Sequence, residues 1–116
     1  MNTPLQSLAL RLNAAIEAMN ERKEALEVDL VNISNALEAA DLDVTSEDVL
    51  FEKLDAGRLA QESLWLAEQS LTSLSALKEE ITVDNGEVAL YQDRFQALSE
   101  KSASQLPFEL KYRRAA

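Results

Sequence analysis

Cysteine and histidine are both absent from this chain of 116 residues. Without cysteine the chain has neither a disulfide nor a thiolate ligand, so its folded state depends on packing. Without histidine it lacks the commonest metal ligand, the commonest general base and the usual partner of a serine nucleophile. We therefore expect no enzymatic activity, no cofactor and no metal ion.

Glycine and proline are scarce, with two of each, and aromatic residues make up only 5% of the chain. Alanine, leucine, glutamate, serine and glutamine dominate, which is typical of a mostly helical protein. No apolar run approaches the roughly 18 residues that a membrane-spanning helix needs. The first residues carry no basic region ahead of an apolar segment, so we expect no signal peptide and no membrane partner. We expect a location in the cytoplasm or within an assembled particle.

Positive charge is scarce in the body of the chain, where residues 1–86 contain six basic and seventeen acidic side chains. With a formal net charge of −10, this acidic body is not expected to bind nucleic acid directly. The end of the chain differs, because residues 104–116 contain three basic side chains and one acidic side chain.

Apolar residues with helical spacing predict two long helices of nearly equal length, over about residues 4–40 and 46–81. Thr3 and Thr45 are the expected N-caps. Lys23 interrupts the apolar seam of the first helix, either as a snorkelling side chain at a surface edge or as a buried polar residue that fixes register. The expected seam of the second helix consists of Leu50, Leu54, Gly57, Ala60, Leu64, Ala67, Leu71, Leu74 and Ile81.

The sequence Asp-Asn-Gly-Glu at residues 84–87 predicts a turn, followed by a third helix over about residues 87–102. We therefore predict an all-α fold in which the first two helices form an antiparallel hairpin. The shorter third helix folds back on half of this hairpin. Gly57 lies in the middle of the second helix, where it marks either a kink or a close helix crossing.

The C-terminal segment has a different pattern, because Leu106, Phe108, Leu110 and Tyr112 occupy alternate positions. Alternation with a proline predicts an extended arm. The chain then divides into a helical domain, residues 1–103, and a basic and aromatic arm, residues 104–116. We expect this arm to bind a protein partner. In the alternative, Phe108 and Tyr112 fold back on the hairpin. The expected partner-binding residues are Leu106, Phe108, Leu110, Tyr112, Arg113 and Arg114.

A second apolar stripe remains on the two long helices after the hairpin seam is assigned. Apolar surface at helical spacing usually marks an interface between chains, so we expect a homo-oligomer or a larger protein assembly. The alternative is that the third helix and the arm cover this stripe in a monomer. The candidate interface residues are Leu10, Val28, Val31, Phe51, Leu59, Trp65, Leu66 and Leu77.

Acidic residues in the first interhelical loop copy the spacing of an EF-hand calcium loop. The sixth position of this pattern is Ser46, where the sharp turn of an EF-hand needs glycine. We interpret the segment as a capped, acidic connection between helices. The residues with this spacing are Asp41, Asp43, Thr45, Glu47 and Glu52.

These observations predict a non-enzymatic structural or assembly protein, built as a helical subunit that self-associates or docks into a larger complex. A phage-virion-type particle is one context that fits this composition. The first alternative is a small acidic inhibitor or adaptor that occupies a basic site on a target protein, in the extreme as a nucleic-acid mimic. The second alternative is an acidic helical chaperone.

Overall fold

The computed structural model describes residues 3–41, 44–83, 88–104 and 106–113. Three long helices occupy most of these segments: α1 spans Pro4–Ala39, α2 spans Glu47–Val83 and α3 spans Val88–Ser104. The last segment is helical from residue 107 and contains a π-helical turn, Glu109–Arg113. No residue within the described ranges belongs to a strand. The predicted all-α fold is confirmed.

The start of α1 follows the sequence signals for a helix N-terminus. The Gln6 backbone N–H donates to Thr3 Oγ1 at 3.1 Å, and the Gln6 side chain accepts from the Thr3 backbone N–H at 3.0 Å. This reciprocal capping box, with Pro4 in the first turn, satisfies N–H groups that the helix itself cannot. The predicted cap at Thr3 is confirmed.

The start of α2 differs from the prediction by one residue. Ser46, and not Thr45, lies where the cap is needed, because its Oγ accepts from the Val49 backbone N–H at 3.4 Å. Both are hydroxyl residues, so composition alone did not distinguish them. The acidic Glu47 and Asp48 occupy the first turn of α2, where they favourably meet the positive end of the helix dipole. The predicted turn at residues 84–87 lies outside the described residues.

α1 and α2 pack side by side as an antiparallel hairpin that gives the molecule a length of 63 Å and a cross-section of 21 × 19 Å. A Cβ atom added to Gly57 would lie 3.4 Å from Ile33 Cγ2, an ordinary contact distance, so Gly57 faces α1. Lys23 lies at the surface edge, half-buried, with its Nζ 3.9 Å from Glu27 Oε1. This is the first of the two alternatives for Lys23.

The core is divided into two clusters along the hairpin. The first, which we call the α3 cluster, lies where α3 packs against the open end of the hairpin and contains Leu8, Leu12, Leu74, Leu77, Ile81, Tyr91 and Phe95. The second, which we call the tail cluster, contains Met19, Leu26, Ala56, Leu59, Ala60, Ala67, Leu106 and Phe108. Of the residues that the structure describes, none from α3 lies in the tail cluster and none from the C-terminal segment lies in the α3 cluster.

One residue of the predicted α2 seam lies outside the core, since 54% of Leu54 is exposed. The reason is that this part of α2 packs against α1 on one side and the C-terminal segment on the other, while α3 packs further along. Its buried face is therefore centred on Ala56, Ala60 and Ser63, and this rotates Leu54 outwards.

The predicted extended arm is wrong for the described residues 106–113, which are mostly helical and pack on the hairpin. The alternation of apolar residues suggested a strand, but the packing follows a spacing of four. Phe108 and Tyr112 lie on the same side, with ring centroids 5.4 Å apart, whereas Leu110 is exposed. Pro107 is compatible with a helix because it lies in the first turn, where its missing N–H has no cost.

Candidate functional site

The C-terminal segment, residues 106–113, lies in a groove between α1 and α2, and this groove is the first candidate site. At its base the Phe108 backbone N–H donates to Ser63 Oγ at 2.8 Å. Ser63 is fully buried, so this hydrogen bond satisfies polar groups that water cannot reach. Leu106 and Phe108 are also buried there, which fixes the start of the segment in the groove.

Charged residues on α1 form one rim of the groove. The guanidinium of Arg22 donates to the Glu109 carboxylate through both Nε and Nη2, with Nη2 at 2.7 Å from Oε2. Glu109 is largely buried, and a bidentate arginine–carboxylate pair is stronger and more directional than an ordinary surface ion pair. Further along, the Arg113 guanidinium pairs with Asp29 on α1. Its Nη1 also lies 3.7 Å from Glu109 Oε1.

Asp55 on α2 organises the opposite rim. Its Oδ2 accepts hydrogen bonds from Lys111 Nζ at 2.6 Å and from the Tyr112 hydroxyl at 2.9 Å. Its Oδ1 accepts from Arg58 Nη2 at 3.0 Å. One carboxylate therefore holds two side chains of the C-terminal segment.

These contacts shift the pKa values of Asp55, Lys111 and Tyr112. Hydrogen bonds from Lys111, then Arg58, then Tyr112 hold the pKa of Asp55 well below its ordinary value. The Asp55 carboxylate in turn raises the pKa of Lys111. Burial, together with the hydrogen bond to Asp55, raises the pKa of the Tyr112 phenol. The arrangement therefore favours an ionised Asp55, a protonated Lys111 and a neutral Tyr112.

Aromatic contacts connect the apolar base of the groove to its charged rims. The Arg113 guanidinium carbon lies 6.0 Å from the Phe108 ring centroid, and Lys111 Nζ lies 5.4 Å from the Tyr112 ring centroid. Both distances are within the range of a cation–π interaction. The cations of this segment thus contact both its aromatic rings and the acidic rims.

The structure separates the six residues that we expected to bind a partner. Leu106 and Phe108 are buried within the chain, and Tyr112 is half-buried, which corresponds to the fold-back alternative. Leu110 is exposed, and Arg113 reaches Asp29 on the hairpin. Arg114 lies outside the described residues. Whether any of the six binds another protein stays a prediction.

The eight candidate interface residues also divide into two groups. Leu59 and Leu77 are buried in the core and Leu66 is half-buried, so the expectation of an uncovered stripe is wrong for Leu59 and Leu77. The third layer, formed by α3 and the C-terminal segment, covers this side of α2. Five candidates remain exposed, by 58–65% of their surface: Leu10, Val28, Val31, Phe51 and Trp65.

The second candidate site is what we call the outer α2 face, formed by Phe51, Leu54 and Trp65. Their exposed fractions are 65%, 54% and 58%. Phe51 and Trp65 are fourteen positions apart, which is close to four helical turns, so they lie on the same side of α2 and roughly 21 Å apart along its axis. Leu54 was expected in the core and was missed as a surface residue.

On α1, three further apolar side chains, Leu10, Val28 and Val31, each have 58% of their surface exposed. Leu10 and Val28 are eighteen positions apart, which is five full turns, so both lie on the side of α1 that faces away from the hairpin seam. Exposed glutamates, Glu17 and Glu21, lie between them along the helix. This outward side of α1 therefore carries both apolar and acidic side chains.

Within the described ranges, no group of three or more acidic side chains is arranged to hold a metal ion. Asp43, part of the calcium-like spacing, lies outside the described residues. None of the described helices has a stretch long and apolar enough to cross a bilayer. No protein-family model matches the chain, and neither a curated protein nor a solved structure matches it.

Proposed function

We propose that this protein is a non-enzymatic helical subunit that self-associates, and so builds or docks into a larger protein assembly, through the outer α2 face. The observation that carries this proposal is the exposure of Phe51, Leu54 and Trp65 on one side of one helix. Large apolar side chains exposed on one side of a helix can pack against another protein, with Phe51 and Leu54 as one contact and Trp65 as a second beyond the Arg58–Glu62 ion pair. A phage-virion-type particle is one setting for such a subunit.

The shape of the molecule supports a structural role. A rod 63 Å long presents outward helix faces over its whole length, and each can pack along a helix of a neighbouring subunit. Tryptophan and phenylalanine, two of the three residues on the outer α2 face, bury large apolar areas in interfaces, and tryptophan is enriched among the residues that dominate binding energy.

The residue types in the chain support a role without catalysis. There is no histidine or cysteine to act as a general base or as a strong nucleophile. The buried hydroxyl of Ser63 accepts a hydrogen bond from the backbone of the C-terminal segment, so it serves packing.

Light scattering of the purified chain over a range of concentrations tests this proposal. We expect a mass above that of one chain, and a return to the single-chain mass when Phe51 and Trp65 are both replaced by serine. Both side chains are exposed, so their replacement should leave the helical content unchanged.

The matched control is Leu90→Ser, which removes an equally exposed apolar side chain from α3, outside the outer α2 face. This variant should keep the mass of the unaltered chain. A chain that stays at the single-chain mass at every concentration would contradict self-association.

The second candidate function is a small acidic inhibitor or adaptor. It is favoured by the exposed glutamates on the outward side of α1, Glu17, Glu21 and Glu24, which could meet a basic surface. Such a protein would remain a monomer and would bind a basic protein with an affinity that falls steeply as salt is added. The same light-scattering series, repeated with a basic protein at two salt concentrations, separates the two functions.

A further inference from the structure

We propose that the groove that holds the C-terminal segment is a binding site for the same segment of a second copy of this chain, so that subunits can exchange their C-termini. We call this the tail groove; Leu26, Leu59 and Ser63 form its base, and Arg22, Asp29 and Asp55 form its rims. The inference rests on the proposed self-association and gives it a second, specific contact.

The C-terminal segment can leave the groove without disturbing the rest of the molecule. Leu106 and Phe108 belong to the tail cluster, in which none of the residues that the structure describes comes from α3. Among the same residues, the α3 cluster contains none from the C-terminal segment. Because the two clusters lie on different lengths of the hairpin, we expect α3 to stay attached when the segment leaves.

The tail groove recognises the chemistry of the segment group by group. The Phe108 backbone N–H meets Ser63, the Glu109 carboxylate meets Arg22, and Lys111 and Tyr112 share Asp55. Arg113 meets Asp29. The rims thus complement a pattern of one acid followed by two cations, and a segment with this pattern is what the groove selects.

A second copy offers the same pattern, and charge favours its C-terminus over other parts of it. The chain has a net charge of −10, so two acidic bodies repel each other. The C-terminal segment is the basic part of the chain, and both Lys111 and Arg113 contact acidic residues of the hairpin. In an exchanged pair each basic segment lies against the acidic rims of the other chain, and this attraction offsets part of the repulsion between the two bodies.

Exchange keeps every contact that the segment makes within one chain. The segment follows α3 closely in the sequence, and a short connection between two packed elements favours exchange between subunits. Because the contacts are the same, two concentrations decide whether a groove holds its own segment or that of a second chain. These are the effective concentration of the attached segment and the concentration of other chains in solution. Dilute chains hold their own segments, and concentrated chains exchange them.

A labelled synthetic peptide of residues 104–116 tests this proposal by fluorescence anisotropy. The receiver is the full chain with Phe108→Ala and Tyr112→Ala, which weakens its own segment and frees the tail groove. We expect this receiver to bind the peptide at least tenfold more tightly than the unaltered chain does. The same peptide carrying Phe108→Ala should bind neither.

Reversing the charges of Asp55 in the receiver and Lys111 in the peptide tests whether the peptide occupies the tail groove. Adding Asp55→Lys to the receiver should weaken peptide binding at least fivefold, and a peptide with Lys111→Glu should recover most of that loss. Glu68→Lys is the matched control, because it makes the same change at an exposed position of α2 outside the groove. It should leave the affinity within twofold.

Circular dichroism first verifies that each receiver keeps the helicity of the unaltered chain. If the double variant loses helicity, Lys111→Glu is used as the receiver, since Lys111 is exposed and a glutamate there faces the Asp55 carboxylate, which weakens the hold on the segment without altering the core. A folded receiver that does not bind the peptide overturns the proposal. If association that depends on Phe51 and Trp65 persists in that case, self-association stands and only the exchange is wrong.

Discussion

At the scale of single residues, Ser63 and Asp55 connect the C-terminal segment to the hairpin. Ser63 is small enough to lie in the crowded face of α2 and polar enough to accept the Phe108 N–H at 2.8 Å. Asp55 accepts from Lys111 and Tyr112 at the surface. The first contact is buried and the second partly exposed, so their removal should have different consequences.

Replacing Ser63 by alanine should lower the free energy of unfolding by about 1–3 kcal/mol, because the buried Phe108 N–H loses its acceptor. Urea denaturation followed by circular dichroism measures this change. Ser75→Ala is the control on the same helix, at an exposed position, and should alter stability by about 0.5 kcal/mol or less. Equal effects of the two substitutions would show that the Ser63 hydrogen bond contributes nothing.

The attachment of the C-terminal segment should depend on pH at both extremes. The pKa of Asp55 is lowered by folding, so its contribution is present above about pH 4, the unfolded value, and is lost as acid protonates it. The pKa values of Lys111 and Tyr112 are raised, so their contributions are present below about pH 10 and are lost at higher pH.

Nuclear magnetic resonance of the Phe108 amide follows this attachment, and we expect little change between about pH 5 and pH 9. Asp55→Asn removes the group that titrates in acid, so its acid limb should be flatter than that of the unaltered chain. An unchanged acid limb in this variant would mean that another carboxylate controls the attachment.

At the scale of elements, the long helices could be predicted from the sequence and the C-terminal segment could not. Thr3 with Pro4 marks the start of α1, and apolar spacing sustained over ten turns admits one regular structure. Residues 106–113 are too few for periodicity to distinguish a strand from two helical turns. Their conformation depends on distant partners, such as Ser63 and Arg22, which the local sequence does not contain.

Helical spacing predicted that apolar residues would remain exposed on the long helices, but it did not predict which ones. Spacing placed Phe51 and Trp65 away from the hairpin seam, and both are exposed. Spacing also placed Leu59 and Leu77 there, yet they are buried by the third layer. The side of a helix that a third element covers depends on how the chain folds back, and helical spacing carries no information about that choice.

Gly57→Ala should stabilise the hairpin by about 0.5–1 kcal/mol, because alanine favours the helix and the added Cβ makes an ordinary contact 3.4 Å from Ile33. Thermal unfolding measures the gain. Gly57→Leu should instead destabilise the protein, since its longer side chain would press against Ile33 on α1. A loss of stability with alanine would indicate that the two helices approach more closely at Gly57.

Leu106→Ala should release the C-terminal segment while α3 stays attached, because Leu106 belongs to the tail cluster alone. Native-state hydrogen exchange should show faster exchange at the Phe108 amide and unchanged exchange at Tyr91 and Phe95. The comparison residue is Leu77, whose replacement by alanine should accelerate exchange in α3 first. Equal acceleration in both regions would show that the two clusters unfold as one unit.

At the scale of the whole molecule, the protein is a rod 63 Å long with one side covered by its own chain and another side exposed. α3 and the C-terminal segment close one side of the hairpin, and they divide its length between them. The outer α2 face remains open along roughly 21 Å between Phe51 and Trp65. We propose that a neighbouring subunit covers this face.

Trp65 is the only tryptophan in the chain, so its fluorescence reports on this face directly. The most direct measurement is acrylamide quenching of Trp65 as the protein concentration is raised. If a neighbour covers the outer α2 face, quenching should fall at least twofold and the emission should move to shorter wavelength. Quenching that stays high and constant across the whole concentration range would contradict the proposal that a neighbouring subunit covers the outer α2 face.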